Sequence, residues 1–333
     1  MKRDFLMLKK ALNIKERQRN EALNKADFRK KSIEKKHPEL AKLNREIAGV
    51  SKKIFSALAD KRNISEKLNQ IKTENLELQK ERKRLLSALN YSEDVLGPHF
   101  SCKLCEDTGI YDGKYCKCVF DIIKKLRIEE LQKNSSIELC DFDSFNIDYY
   151  KNLPPEKVES GELIQPYERM SDIFEYCKAW AEDFSPSRTI PNILMFGRTG
   201  LGKTHLSLAI ARKVIDRGYE VIYDSTQNIL SKIEDVKFGR LSPDKNPIDI
   251  VLSCDLLILD DLGTEFNTPF NNSAFYNIIN TRISKGLPMI INTNLSIEQL
   301  ENRYEERIMS RMLGYFDFLY FIGKDVRQLR LED

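Results

Sequence analysis

Eight residues in the middle of the chain, Gly197-Arg198-Thr199-Gly200-Leu201-Gly202-Lys203-Thr204, read G-x-x-x-x-G-K-T. The pattern limits the fold because of what it must do. Glycines let the backbone turn tightly enough for its N–H groups to converge on one phosphate, and a helix starting at the lysine adds the positive end of its dipole. Such a loop needs a strand to deliver it and a helix to follow it. Asn192–Phe196 is a short apolar run between Pro191 and Gly197, and Thr204–Ala211 has a helical pattern. The expectation is an α/β domain with a parallel sheet, in which Lys203 reaches the β- and γ-phosphates and Thr204 ligates Mg²⁺.

The rest of that domain can be followed along the chain. Val221-Ile222-Tyr223 reads as a second strand, and Cys254–Asp261 as a third that ends in the carboxylates Asp260 and Asp261. Two adjacent acids at a strand end are costly unless a metal or a reaction uses them. Asp260 is placed to hold Mg²⁺ and Asp261 to orient or deprotonate a water, with Glu265 a second candidate for the water. Pro288–Asn294 is a fourth strand, and its terminal Asn294 reads either as a γ-phosphate sensor or as a strand cap. Arg303, Arg307 and Arg311 follow at spacings of four, which predicts one helical face. That face is either salt-bridged with Glu301, Glu305 and Glu306 or presents an arginine finger to a neighbouring subunit. Phe318–Ile322 is a last strand, followed by Arg327.

Cys102, Cys105, Cys116 and Cys118 form a C-x2-C-x10-C-x-C pattern. Two close pairs around a turn-rich stretch fit a closed, structural zinc site with four cysteine ligands, whose metal would supply the folding energy of so short a segment. Asp112-Gly113 is expected to turn a small hairpin between the pairs. His99 could replace one ligand, whereas Cys140, Cys177 and Cys254 read as buried thiols. Trp180 reads as core. Asn152–Pro155 and Glu159–Gly161 read as loop, between helical patterns at Val119–Gln132 and Tyr167–Phe184.

Residues 1–95 are rich in strong helix formers and broken at His37-Pro38. Before the break, Phe5, Leu8, Leu12, Leu23 and Ile33 mark a less regular helix. Spacings of three and four then alternate from Leu40 to Leu89, with Lys61, Asn75 and Arg82 as polar exceptions. The reading is a coiled coil of about 75 Å, whose seam folds back on the first helix, dimerises or docks on another protein. This arm holds 25 Lys and Arg against 14 Asp and Glu, and the remainder 29 against 37, although the whole chain carries only +3. A basic arm on an acidic domain suggests a nucleic acid or an acidic protein surface as partner, or a solvated helical face. With no apolar run long enough for a membrane span and no signal-peptide core, a cytoplasmic protein is expected.

Taken together, Gly197–Leu206 with its G-K-T-H-L continuation, Leu257–Gly263, Thr293-Asn294 and Glu306–Met312 resemble the AAA+ ATPases of the DnaC/DnaI helicase-loader group, within the IstB-like ATP-binding proteins. The resemblance covers about residues 97–333 and implies an AAA+ core without a full helical lid. It implies that Gly197, Thr199, Gly200, Gly202, Lys203, Thr204 and His205 bind ATP, that Asp260 holds Mg²⁺, and that Asp261 takes the place of the more usual catalytic glutamate. Asn294 would be sensor 1, Arg311 a finger in trans with Arg307 beside it, and Arg327 sensor 2. The implied organisation is an arm at 1–95, a zinc knuckle at 97–120, a helical connector at 121–185 and the ATPase at 186–333. The implied partners are a hexameric replicative helicase, single-stranded DNA and further copies of the chain in a nucleotide-dependent assembly. Two other readings stay open: a transposition helper of the IstB type, and an ATP-switched adaptor that does not hydrolyse.

Overall fold

The computed structural model describes residues 2–59, 63–134, 140–157, 161–185, 190–240 and 246–329. They fall into two compact units, Met1–Ile123 and Lys124–Asp333.

The first unit opens with α1 (Lys2–Lys36). Its buried positions include Met7, Ala11, Lys15, Ala22, Ala26 and Ile33, whereas the larger Phe5 and Leu23 are exposed. Small residues on the packed face let a neighbour approach closely, which a search for large apolar residues misses. Pro38 then starts α2 (Pro38–Ala59), with Leu40, Leu43, Val50 and Ala57 buried. α3 (Ile64–Ala88) follows after Asn63, whose φ of 52° is left-handed.

The continuous helix expected from Leu40 to Leu89 is therefore two helices. Leu40 packs with Leu86, and Lys53 meets Glu74 at 2.5 Å, so α2 and α3 run antiparallel as a hairpin. The three-four spacing names the buried Leu40, Leu43, Val50 and Ala57 of α2, but it includes the exposed Ile54 and passes over Leu86, the buried residue of α3. What it cannot show is that the chain reverses near Asn63, a residue type that tolerates the left-handed region. Folding back buries apolar residues of both helices, which a single extended rod would leave in water. Of the polar seam positions, Asn75 and Arg82 are half-buried on α3; Lys61 lies outside the described residues.

Beyond the hairpin, β1 (Ile110–Tyr111) and β2 (Lys114–Tyr115) pair antiparallel. Asp112 and Gly113 between them both have positive φ, 50° and 70°, which makes the type I′ turn their sequence demands. α4 (Lys117–Asn134) starts within the cysteine cluster.

In the second unit a 3-10 turn (Ile147–Tyr150) and the short pair β3 (Glu156–Lys157) and β4 (Leu163–Ile164) precede α5 (Pro166–Asp183). The sheet then builds from β5 (Asn192–Phe196), α6 (Lys203–Asp216), β6 (Val221–Ser225), α7 (Thr226–Lys237), α8 (Pro247–Val251) and β7 (Leu256–Leu262). α9 (Pro269–Lys285), β8 (Met289–Thr293), α10 (Ile297–Arg303), α11 (Glu306–Tyr315), β9 (Phe316–Tyr320) and α12 (Val326–Leu329) complete it. The five long strands lie in the order β6-β7-β8-β5-β9, all parallel. A parallel sheet with helices on both faces buries its strands fully, and Leu256–Leu259 and Met289–Ile291 are accordingly buried. The glycine loop leaves β5, between β8 and β9, so it meets the strand ends that carry the acids.

The connector expected over 121–185 does not stand apart from this sheet. Leu131, Cys140, Tyr150, Met170, Ile173, Cys177, Trp180 and Phe184 share one buried core with Ile193, Met195, Leu206 and Ile258. Trp180 Nε1 also donates to Pro191 O at 2.9 Å.

Arg282 of α9 is fully buried. Its guanidinium donates to the carbonyls of Val251 (2.7 Å), Cys254 (3.0 Å) and Pro288 (2.8 Å), tying α8 and the entrances of β7 and β8 together. Arg282→Ala would strand those carbonyls, so urea unfolding should show a loss of about 3 kcal/mol or more. A change below about 1 kcal/mol would contradict this account of the sheet.

Candidate nucleotide site and metal centre

One pocket gathers Thr199–His205, Asp260, Asp261, Asn294, Val326 and Arg327 with Ser144, Phe145, Asn146, Tyr149 and Tyr150. Its floor is the glycine loop. Gly197 has a φ of 138°, and a Cβ there would sit 2.4 Å from Phe321 O; at Gly202, φ 84°, it would sit 2.7 Å from the Phe145 ring. Only glycine fits either position.

Lys203 is buried, and its Nζ donates to the carbonyls of Gly197 and Arg198, both at 2.7 Å. Burial brings its pKa down to about 8 despite the pull of Asp260 and Asp261. The ammonium is thus held inside the loop by groups that phosphate oxygens would replace.

Asp260 is the centre of the polar cluster. It is buried, and its Oδ1 accepts from Asn292 Nδ2 (3.0 Å) and from the Asp261 N–H (3.0 Å). Its Oδ2 accepts from Tyr223 OH (2.5 Å) and Thr204 Oγ1 (3.2 Å). Asn292 also donates to Ser207 Oγ at 2.9 Å. The strand register explains the geometry. Leu259 pairs with Ile291 and Leu262 with Thr293, so Asp260 and Asp261 together face Asn292 in a bulge. Asp261 takes a left-handed φ of 50° there, and its carboxyl is pushed up by burial first and by Asp260 second. Asn294 Nδ2 lies 3.5 Å from Asp261 Oδ1. The donor set of Thr204 Oγ1 and the Asp260 carboxylate suits a hard cation such as Mg²⁺.

Arg327 closes one side. Its guanidinium donates twice to Asp325 (3.0 and 2.7 Å) and once to Thr199 Oγ1 (3.0 Å), while the Val326 N–H donates to Gly200 O at 3.0 Å. His205 Nε2 lies 3.1 Å from Asp141 O and 3.3 Å from Ser144 Oγ, with its ring edge-on to Phe145. Phe145 stacks on Tyr150, whose hydroxyl donates to Leu201 O at 3.1 Å. This aromatic wall comes from a stretch read only as connector, and aromatics among polar residues at 142–150 are its sole sequence signal. Tyr223 and Asn292 were likewise hidden, since strand residues read as core.

The three arginines do not share a helix. α10 ends at Arg303 and α11 begins at Glu306, so only Arg307 and Arg311 lie on one face. Arg303 and the Tyr304 hydroxyl bind Glu265, which also accepts from the Gly263 N–H at 2.8 Å. The Glu265 carboxylate is buried in that network and does not line the pocket, which leaves it no access to a water there. Arg307 pairs with Glu305 at 2.7 Å and lies over the Tyr276 ring, as a salt-bridged face would have it. Arg311 is half-buried on α11, and neither it nor Arg307 lines the pocket of its own chain.

In the first unit the Sγ atoms of Cys102, Cys105, Cys116 and Cys118 lie within 4.8 Å of one another. Cys102 and Cys116 are 3.8 Å apart, Cys105 and Cys118 3.5 Å. A zinc tetrahedron with bonds of about 2.3 Å has edges of about 3.8 Å, so the four sulfurs fit the ion. Backbone N–H groups, that of Cys105 foremost, bring Cys102 down to about 7, and burial pushes Cys118 up. His99 is exposed beside Asp94, 3.8 Å away, and is not among the four.

Residues 183–316 match the family of IstB-like ATP binding proteins. The replicative helicase loader DnaC of Escherichia coli K12 is 25% identical over 135 residues, 40% of this chain and 54% of the relative. DnaC of Buchnera aphidicola subsp. Schizaphis graminum is 26% identical over 158 residues, 47% of this chain and 63% of the relative. The chain thus spans about half the length of the E. coli relative it matches. A solved DnaC helicase loader superposes with a TM-score of 0.44 at 20% identity, over 55% of this chain and 97% of that one.

A lysine whose pKa lies near 8 must be charged to hold phosphate, and phosphate favours the charged form. Nucleotide binding near pH 8 should therefore take up protons, and affinity should fall about tenfold between pH 7 and 9. Calorimetry with ADP in two buffers of different ionisation heat measures both effects. A flat affinity with no proton uptake would contradict the burial of Lys203.

Proposed function

We propose that this chain, whose residues 183–316 carry an ATP-binding domain of the IstB-like family, is an ATPase that places a ring-shaped replicative helicase on single-stranded DNA. The observation that carries the hydrolytic half of this reading is the bulge holding Asp260 and Asp261 against Thr204 and Lys203. The helicase half rests on the loader relatives.

In the proposed reaction Gly197–Gly202 supply N–H groups to the phosphates. Lys203 leaves its two carbonyls and pairs with the β- and γ-phosphates. Thr204 and Asp260 hold Mg²⁺, which when bound neutralises charge on the phosphate oxygens. Tyr223 and Asn292 keep the Asp260 carboxylate turned toward Thr204. Asp261 sits outward on the bulge and orients the attacking water, with Asn294 beside it. Arg327 spans Asp325 and Thr199 and is placed to read the phosphates as sensor 2. Phe145 and Tyr149 offer a face for the base. Arg311, with Arg307 beside it, completes the site of a neighbouring subunit, which makes hydrolysis depend on assembly. The arm at 1–95 and the zinc knuckle at 97–120 grip the helicase, and the assembled ATPase domains hold the DNA strand.

The test mixes the protein with the replicative helicase of its own organism, ATP and Mg²⁺, followed by size exclusion with light scattering. A large complex is expected, and a variant lacking residues 1–120 should not form it. Failure of the full chain to bind while ATP binding is intact would overturn the loader reading. Capture of a transposase instead would favour the helper function that the IstB-like name of the family brings forward.

A further inference from the structure

A lysine on a long, charged helix normally keeps its head in water. Lys15 of α1 is only 3% exposed, and its partner Asp107, 92 residues away in sequence, is 0% exposed. Lys15 Nζ donates to Asp107 Oδ1 at 2.7 Å and to Gln18 Oε1 at 2.9 Å. Asp107 also accepts the N–H of Cys102 (2.9 Å) and of Ser101 (2.8 Å). One carboxylate thus joins α1 to the backbone of a cysteine of the four-sulfur cluster.

The contact extends along one face of the helix. Leu12 packs on Gly109, where a Cβ would come within 2.9 Å of its Cδ2. Arg19 donates to Glu106 O at 2.6 Å and lies over the Phe100 ring. Leu12, Lys15 and Arg19 are three and four residues apart, as neighbours on one helical face must be. On the other side of the contact, Glu106 and Asp107 both hold left-handed φ values, 49° and 57°. Side-chain-bearing residues rarely adopt these in succession, so something must fix the 102–107 loop.

Four thiolates on a zinc ion carry a net charge of −2, and here Cys105 and Cys116 are buried. We infer that the buried Lys15–Asp107 pair ties α1 to the backbone of the four-cysteine site, and that docking of α1 on the knuckle is conditional on the metal. The ion fixes the loop that presents Asp107, and Asp107 fixes Lys15. Without the ion the loop loses its organiser, and a buried ammonium cannot keep its place without an oriented carboxylate. Coupling of this kind is reciprocal, so docking of α1 must also raise the affinity of the site for the metal. The first helix of the basic arm then belongs to a metal-locked body.

Two measurements on the full-length protein test this. The first follows zinc transfer to a chromogenic chelator from wild type, Lys15→Met and, as control, Lys10→Met on an exposed position of the same helix. At equilibrium Lys15→Met should give up its zinc at a chelator concentration roughly tenfold lower or less, and Lys10→Met at the wild-type concentration. The second compares amide hydrogen exchange before and after chelation in wild type. Residues 10–22 should exchange much faster once stripped, while Lys203–Asp216 stay unchanged. Release of zinc by Lys15→Met at the wild-type chelator concentration, exchange over 10–22 that ignores chelation, or a protein that purifies without zinc would each overturn the inference.

Discussion

The unit Lys124–Asp333 depends on one carboxylate. Asp260 accepts from Thr204, Tyr223, Asn292 and a backbone N–H, and these groups come from α6, β6, β8 and β7. A buried carboxylate tolerates low dielectric only when its lone pairs are met, and here every donor belongs to a different element of the α/β unit. The strand order makes this possible by placing β7 between β6 and β8, with β5 and its phosphate loop next along. Sheet topology, core and chemistry are therefore joined at a single side chain. The bulge adds the second acid without a second fully buried charge, because Asp261 turns outward as Asp260 turns in.

Much of that unit could be read from the residues alone. The phosphate loop, the paired acids and the five long strands, the last of them displaced along the chain, each follow from a local rule about backbone freedom or periodicity. What stayed hidden required tertiary knowledge. Tyr223 and Asn292 occupy strand positions where side chains alternate into a core, and nothing local marks two of them as polar partners of Asp260. Phe145 and Tyr150 reach the pocket only because Cys140, Tyr150, Met170, Ile173 and Trp180 fold into the sheet's own core. The arginine spacing was misleading for a related reason: a period of four continues across Tyr304-Glu305, where the helix does not.

The amino-terminal unit shows the same division. Heptad spacing identified most of the buried face of α2, missed Leu86 on α3, and assigned both helices to one rod. The chain reverses between α2 and α3, and the two helices meet each other. The cysteine spacing identified a knuckle whose four sulfurs converge as a tetrahedral zinc site needs, and the Asp-Gly turn within it follows from its own residues. Neither gave a hint that α1 would bring a buried lysine to the loop beside them. Among the described residues no helix is long and apolar enough to cross a membrane.

The most direct test of the central claim is single-turnover ATP hydrolysis by Asp261→Asn, measured beside ATP affinity and in the presence of single-stranded DNA. If Asp261 orients the water while Asp260, Thr204 and Lys203 hold the nucleotide, affinity should stay near wild type and the rate should fall about 100-fold or more. A variant that hydrolyses at the wild-type rate, or that loses ATP binding in step with hydrolysis, would contradict the division of labour between the two acids.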